Sequence, residues 1–237
     1  MVAALYLIPS ALGETPWPAY LPAATRDIVC RLTCFVVENA KTARAELKRL
    51  GHPLPLRDIA IEQLSEKPTP ADIERLLAPL LAGEDIGLLS EAGCPAVADP
   101  GALLVRRAHD LGIQVKPLIG PSSLLLALMA SGLDGQRFAF HGYLPAREPE
   151  RSRRIAELEK ESGRLRQTQL FIETPYRNGV LLEALLTVCR PSTRLCIAAD
   201  LSLPSEQVIS RAIADWQRLA RPQLDRRPTV FLLLSER

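Results

Sequence analysis

Residues 90–101 form the segment of this chain that is best suited to hold a ligand. Their sequence is Ser-Glu-Ala-Gly-Cys-Pro-Ala-Val-Ala-Asp-Pro-Gly, and small residues let a ligand approach the backbone closely. Related segments occupy residues 9–14, 120–123 and 173–177; together they are rich in Gly, Pro, Ser and Ala and contain few titratable groups. This composition favours a ligand held by backbone amides and carbonyls over a nucleophile–base pair or a metal centre.

The chain lacks the motifs of several common enzyme classes. It contains no Gly-x-Ser-x-Gly nucleophile elbow, no P-loop and no Gly-x-Gly-x-x-Gly motif. The histidines His52, His109 and His141 lie outside the segments above and are interpreted as surface or strand histidines. Cys30 and Cys34 have the spacing of half a metal site, but no second pair of ligands follows, so no metal is predicted.

The elements around these segments predict an α/β fold. Residues 86–89 are an apolar run between turn residues, which indicates a buried strand, and apolar residues recur at helical spacing after residue 101. The same alternation along the chain predicts mostly parallel sheets covered by helices. Turn residues near 132–135 predict a boundary between two α/β domains, residues 1–133 and 134–237. Ligands of open α/β sheets bind at the carboxyl ends of the strands, where these segments lie.

Composition and charge are those of an ordinary globular protein. The 237 residues are 47% hydrophobic and 24% charged, with a formal net charge of +2, which does not by itself indicate a nucleic-acid partner. No apolar stretch approaches the ~20 residues of a membrane span, and no secretion signal is recognisable. Five cysteines, an odd number, fit a reduced protein, so a cytoplasmic location without membrane association is expected.

Four segments in a fixed order carry a more specific signal. They are residues 90–101, 120–123, 138–145 and 171–177, and the last three have the sequences Gly-Pro-Ser-Ser, Phe-Ala-Phe-His-Gly-Tyr-Leu-Pro and Phe-Ile-Glu-Thr-Pro-Tyr-Arg. This set resembles the tetrapyrrole methylase superfamily, and within it the branch that methylates small-subunit ribosomal RNA. That branch typically has Ser-Asp-Ala-Gly-Thr-Pro-x-x-x-Asp-Pro-Gly, Gly-Pro-Ser-Ala, Phe-x-Gly-Phe-Leu-Pro and Glu-Ser-Pro-His-Arg in the same order.

The resemblance implies an S-adenosylmethionine-dependent methyltransferase built from two α/β domains, with the methyl donor in the cleft between them. It implies a homodimer, and an acceptor that is a ribose 2′-hydroxyl of ribosomal RNA or of the small ribosomal subunit. Transferred position by position, the donor contacts would be Leu12, Ala92, Gly93, Cys94, Val97, Ser122, Ser123, Glu173 and Leu201.

Carboxylates are the candidate catalytic groups for such a reaction. Transfer of a methyl group from a sulfonium is an in-line displacement, in which positioning supplies much of the acceleration. A hydroxyl acceptor still benefits from a base, and the candidates are Glu38, Glu91, Asp99 and Glu173. Alternatively Asp99, which precedes Pro100, orders the loop or caps the following helix.

Arginines supply the candidate substrate contacts. Arg44 and Arg177 stand at positions where the RNA-methylating branch also has arginine, and Arg151 and Arg154 lie in a charged predicted helix, residues 149–162. The basic side chains of that helix are suited to RNA phosphates. The alternative is a solvated helix with internal ion pairs, because acidic side chains nearly balance the basic ones.

Three departures from the family leave the acceptor open. Residues 9–14 match the branch's Thr-Pro-Ile-Gly-Asn-Leu-Gly-Asp poorly, and residues 38–44 retain only Glu38 and Arg44 of its Glu-Asp-Thr-Arg-His-Thr-Arg. Tyr176 stands where the branch has histidine. A methylase of a tetrapyrrole or another small molecule, and a donor-binding relative without activity, are therefore the alternatives.

Overall fold

The structure, a computed structural model, describes residues 3–235. The chain divides into two compact units, residues 1–122 and residues 123–237. Each unit is built around a five-stranded sheet. None of the helices in the described part of the chain is long and apolar enough to cross a membrane.

The first unit is a parallel sheet with helices on both faces. Its strands are β1 (Ala4–Ile8), β2 (Cys34–Val37), β3 (Ala60–Gln63), β4 (Ile86–Leu89) and β5 (Gln114–Pro117), in the spatial order β3-β2-β4-β1-β5. Its helices are α1 (Ala23–Val29), α2 (Ala40–Arg49), α3 (Pro70–Leu81) and α4 (Ala102–Asp110). All neighbouring strands pair in parallel, as the alternation of strands and helices predicts.

Apolar residues in succession along the inner strands β1, β2 and β4 bury both faces of this sheet at its centre. On β2, Val36 packs with side chains of α3 and α4, whereas Phe35 and Val37 pack on the other face with α1 and α2. The central strand β4 is buried along its whole length. A continuous apolar run of this kind is what a strand between two helical layers requires.

Gly87 gives a stability prediction for this core. A Cβ atom at this position of β4 would lie 2.6 Å from Ile8 Cδ1 and 2.8 Å from Phe35 Cδ1. Gly87→Ala is therefore expected to lower the free energy of unfolding by about 1–3 kcal/mol through overpacking, as measured by urea denaturation. Gly179→Ala is the matched control, because a helical Cβ there meets nothing within 4 Å. Equal unfolding midpoints for Gly87→Ala and the wild type would contradict the prediction.

The second unit combines helices with a mixed sheet. Its helices are α5 (Ser123–Ser131), α6 (Glu150–Leu165), α7 (Asn178–Val188) and α8 (Ile213–Arg218). Its strands are β6 (Phe138–Tyr143), β7 (Thr168–Ile172), β8 (Arg194–Ala199), β9 (Gln207–Ala212) and β10 (Thr229–Leu234), in the order β6-β7-β10-β8-β9. The α/β class predicted from the sequence is thus confirmed in both units.

The second sheet corrects one detail of that prediction. Only β6 and β7 pair in parallel, and the other three neighbouring pairs are antiparallel. The short connection between β8 and β9 explains the antiparallel pairing of these two strands, because a parallel pair needs a long crossover that this loop cannot provide. The helix α5 packs on β8, β9 and β10, so the division between the units precedes it, whereas the sequence predicts a boundary between residues 133 and 134.

Candidate functional site

Three loops meet at the carboxyl end of the first sheet. They follow β1, β4 and β5 and span residues 9–14, 90–101 and 118–122. Because β1 lies between β4 and β5 and the strands are parallel, their carboxyl ends share one edge of the sheet. Loops that the sequence predicts to bind a ligand are therefore neighbours in space.

Backbone hydrogen bonds join the first two loops. Ser10 N donates to Gly93 O over 2.8 Å, and Gly93 N donates to Ser10 O over 3.1 Å. The Ser10 hydroxyl also donates to Ser90 O over 2.9 Å. Both serines are buried. Neither is singled out by the sequence, although a small polar residue close to the end of a buried strand is the signal that could have found them.

A close steric fit joins the third loop to the other two. Gly93 has a φ of +71°, a conformation that favours glycine, and Cys94 Sγ lies 3.4 Å from Pro121 O. A Cβ atom on Gly120 would lie 2.5 Å from Pro9 Cβ, so any side chain there displaces one of the two loops. Burial raises the pKa of the Cys94 thiol, so its protonated, hydrogen-bonding form is favoured over the nucleophilic thiolate.

Most of the predicted donor contacts lie on these three loops. Ala92 and Val97 are exposed to solvent, whereas Gly93 is buried. The predicted contacts on the loops are Leu12, Ala92, Gly93, Cys94, Val97 and Ser122, and those in the second unit are Ser123, Glu173 and Leu201.

Two of the predicted catalytic carboxylates, Glu38 and Glu91, influence a third, Asp99, electrostatically. Glu38 Oε2 accepts a hydrogen bond from Glu91 N over 3.1 Å, and Glu38 N donates to Leu89 O. Asp99 is half-buried, and burial together with the negative charges of Glu38 and Glu91 raises the pKa of its carboxyl group to about 6. A carboxylate with such a pKa accepts a proton more readily than an ordinary aspartate and is still ionised near neutral pH.

The backbone around Asp99 is strained. Ala96 and Ala98 have φ values of 65° and 64°, in the left-handed region that alanine rarely adopts. Strain of this kind is concentrated at functional sites, where the surrounding structure maintains it. The alternative role of Asp99 as a helix cap finds no support, because Gly101 is the N-cap residue of α4 and, in the described residues, no side chain caps that helix.

Glu173 has a buried carboxylate oxygen with no hydrogen-bond donor. Its Oε1 accepts hydrogen bonds from Thr174 N over 2.6 Å and from Arg177 Nε and Nη2 over 3.1 and 2.6 Å. Its Oε2 is buried and, within residues 3–235, has no partner. A buried carboxylate oxygen normally has a donor, so this atom is suited to a ligand that provides one. The predicted substrate residue Arg177 is held in an ion pair with Glu173.

The loop after β8 contains the predicted donor contact Leu201. Leu201 is buried, and its neighbours Asp200 and Ser202 have φ values of 52° and 69°. Asp200 Oδ2 accepts hydrogen bonds from Arg227 Nε and from the Ser205 hydroxyl, both over 2.8 Å. A partly buried ion pair thus holds this loop in a strained conformation.

The side chain of Arg151 is buried within the protein and does not face solvent. Its Nε and Nη2 donate to Glu148 Oε1 over 2.9 and 2.7 Å, and its Nη1 donates to Ala146 O over 3.2 Å. These contacts fix the start of α6 and occupy the guanidinium group. The structure thereby favours the ion-paired interpretation of this helix at Arg151, while phosphate binding by α6 stays a prediction.

The other predicted substrate arginines are also engaged within the protein. Arg154 forms an ion pair with Glu157 over 3.2 Å, and its Nη2 lies 3.3 Å from His141 Nδ1. His141 Nε2 in turn lies 2.5 Å from Gln169 Oε1, so this histidine is a satisfied strand residue. Arg44 is exposed and donates to the carbonyl of its own helix at Ala40, which leaves its side chain accessible to solvent.

The described residues contain no cluster of side chains suited to bind a metal ion. No group of three or more His, Cys, Asp and Glu side chains among residues 3–235 is arranged to hold a metal ion. Cys30 and Cys34 are both free, and burial raises the pKa of each thiol.

Comparison with known proteins identifies the class to which this fold and these loops belong. The family described as Tetrapyrrole (Corrin/Porphyrin) Methylases matches residues 18–216, and the chain belongs to this family. The resemblance drawn from the ordered motifs is thereby confirmed. The crystal structure of the methyltransferase CobJ has a similar fold, with a TM-score of 0.64 and 16% sequence identity over 98% of this chain and 94% of that chain.

Three relatives with higher sequence identity to this chain share the name ribosomal RNA small subunit methyltransferase I. The ribosomal RNA small subunit methyltransferase I of Xylella fastidiosa is 32% identical over 98% of this chain and 81% of its own length. The protein of the same name from Escherichia coli O157:H7 is 28% identical over 98% of this chain and 77% of its own length. The one from Pseudomonas aeruginosa is 38% identical over 60% of this chain and 50% of its own length.

Proposed function

We propose that this chain is an S-adenosylmethionine-dependent methyltransferase that modifies a ribose 2′-hydroxyl of small-subunit ribosomal RNA. The observation that carries the proposal is the assembly of three interlocked loops, residues 9–14, 90–101 and 118–122, at the carboxyl end of the parallel sheet. Membership of the methylase family supports the reaction, and relatives named ribosomal RNA small subunit methyltransferase I support the acceptor.

The residues present fit the methyl donor. The loops expose backbone groups and small side chains at Ala92 and Val97, and the close contact of Gly120 with Pro9 keeps the loops together. Glu173 Oε2, in the second unit, is a buried acceptor without a hydrogen-bond donor among residues 3–235, and so it is suited to a ligand that provides one. When bound, S-adenosylmethionine supplies a methyl group that is activated by its positively charged sulfur.

Asp99 is the carboxylate whose pKa best suits it to accept the proton of the acceptor. When ionised, its carboxylate accepts the proton that a ribose hydroxyl loses as it attacks the methyl carbon. Glu38 and Glu91 assist by raising the proton affinity of Asp99, as their effect on its pKa indicates. The remaining acceleration comes from the positioning of the two reactants.

Two measurements test the proposal. Calorimetry with S-adenosylhomocysteine is expected to show binding to the purified chain. Absence of binding would contradict the proposal that the chain binds S-adenosylmethionine. Transfer of a tritiated methyl group is expected on small ribosomal subunits that lack the modification. Transfer to a porphyrinoid instead would indicate a small-molecule methylase, and donor binding without transfer to any acceptor would indicate a relative without activity.

The proposal includes a homodimer. Two-fold symmetric dimers are the commonest soluble oligomers, and the resemblance to the family implies the same state. Light scattering after size-exclusion chromatography is expected to give twice the mass of the 26.0 kDa chain, and a monomer mass would overturn this part of the proposal.

A further inference from the structure

Tyr176 is an exposed aromatic residue beside a groove of the second unit. It lies between β7 and α7, and 75% of its surface is exposed although the Arg226 guanidinium lies 6.0 Å from its ring centroid. The groove has a volume of about 400 Å³ and is lined by Tyr176, the first turns of α7 and residues 221–225.

Both walls of the groove are held by hydrogen bonds. Asn178, at the start of α7, is fully buried and donates from Nδ2 to Arg227 O over 2.7 Å and to Leu224 O over 3.3 Å. Arg226 N donates to Pro175 O over 3.2 Å, next to Tyr176. The spacing of the two walls is therefore determined by the fold and does not depend on a ligand.

One of the residues that line the groove is a glycine, which has no side chain to fill it. Gly179 lies in the first turn of α7, and a Cβ atom there would meet nothing within 4 Å. Alanine is a better helix former than glycine, so the helix does not require glycine at this position. The open space is thus a feature that a larger side chain would remove without strain.

The arginines at the rim of the groove form ion pairs in which a phosphate group can replace the carboxylate. Arg221 forms an ion pair with Glu183, and Arg226 lies 3.8 Å from Asp225 in a pair whose side chains are 77% and 72% exposed. Exposed ion pairs contribute little to stability, so a phosphate group can replace the carboxylate at small cost.

We propose that Tyr176 and Arg226 form a stacking platform for an unpaired base of RNA, with the adjoining phosphate bound by Arg221 and the sugar and base edge placed in the groove. This inference deepens the proposed function and rests on its RNA acceptor. Aromatic and guanidinium planes are the groups on which proteins stack single-stranded bases. A protein partner would require a larger apolar surface than this arginine-lined groove offers.

Binding of a fluorescein-labelled single-stranded oligouridylate, followed by fluorescence anisotropy, tests the platform. Tyr176→Ala is expected to weaken binding about five- to hundred-fold, which is the effect of removing one base–aromatic stack. Tyr176→Phe keeps the ring and is expected to bind as tightly as the wild type. Equal affinities for Tyr176→Ala and the wild type, or no binding of the oligouridylate by the wild type, would overturn the inference.

A larger side chain at residue 179 tests whether RNA occupies the groove. Gly179→Leu is expected to weaken oligouridylate binding, whereas Gly179→Ala, its matched control, retains it. Melting temperatures and S-adenosylhomocysteine affinities of all four variants are expected to equal or exceed those of the wild type. If Gly179→Leu binds RNA normally, the groove is not occupied and the inference fails.

Normal methyl transfer by Tyr176→Ala would also reject the platform while leaving the proposed function intact. A wild type without any methyl transfer would instead reject the proposed function.

Discussion

Replacement of Asp99 by asparagine is expected to reduce the rate of methyl transfer by about 10²- to 10⁴-fold, the usual contribution of a general base. Asparagine has nearly the same shape but cannot accept the proton of the acceptor hydroxyl. The measurement is transfer of tritiated methyl groups to unmodified small ribosomal subunits under single-turnover conditions. Affinity for S-adenosylhomocysteine, measured by calorimetry, is expected to remain unchanged. Activity close to that of the wild type would contradict the assignment of Asp99 as the base.

The pH dependence of the wild type provides an independent readout. Because the pKa of Asp99 is raised to about 6, the rate should rise with pH through that value and level off above it. Glu91→Gln removes one of the negative charges that raise this pKa, so the acidic limb of the profile should move to lower pH. An unchanged profile in Glu91→Gln would argue against the interaction of the two carboxylates.

Stability is expected to change in the opposite direction from activity. The pKa of Asp99 is higher in the folded protein than its ordinary value of 3.8, so the folded state binds more protons than the unfolded chain between that value and about 6. The contribution of Asp99 to stability therefore falls as the pH rises through this window, and above it the ionised group is destabilising. Asp99→Asn should consequently keep or raise the melting temperature above pH 7, and a clear decrease would indicate a structural role.

Gly120→Ala is expected to reduce methyl transfer by about 100-fold, because a displacement of about 1 Å in a positioned site has an effect of this size. The new methyl group would lie 2.5 Å from Pro9 Cβ and 2.8 Å from Pro9 Cγ, so the loops after β1 and β5 must separate. Affinity for S-adenosylhomocysteine should fall as well, which calorimetry measures directly. Gly120 is not one of the predicted catalytic carboxylates. The expected loss of S-adenosylhomocysteine affinity therefore distinguishes Gly120→Ala from Asp99→Asn, whose affinity is expected to remain unchanged.

A double mutant tests whether the steric contact causes the loss. Pro9→Gly removes both atoms that the new methyl group meets, so the pair Pro9→Gly and Gly120→Ala should recover part of the affinity that Gly120→Ala loses. Residues in direct contact show such non-additive effects, whereas independent sites do not. Purely additive losses in the double mutant would show that the Pro9–Gly120 contact does not hold the loops in place.

The amino-acid sequence was sufficient to predict the α/β class and to locate the candidate ligand loops of the first unit at the ends of its strands. Buried parallel strands have continuous apolar runs, and the loops after β1, β4 and β5 stand out as glycine-, proline- and serine-rich segments between strand and helix. The ordered motifs were specific enough to indicate the methylase family, which the family match confirmed. These signals are local, so they are visible without knowledge of tertiary contacts.

Contacts between residues far apart in the chain could not be predicted from the sequence. Ser10 with Gly93, and Pro9 with Gly120, are pairs far apart in the chain, and nothing in either segment specifies its partner. The antiparallel part of the second sheet depends on which strands become neighbours, as β8 and β9 do.

The roles of charged side chains were decided by the tertiary structure alone. Arg151 belongs to a predicted basic surface but is buried against Glu148, because helix periodicity does not reveal which face a turn at the start of the helix will cover. Asp99 is an ordinary aspartate in the sequence, and its raised pKa results from burial and from Glu38 and Glu91. The sequence by itself therefore determined the fold class and the position of the candidate ligand loops. Burial and the approach of distant charges, which only the folded chain creates, determined which residues are available for chemistry.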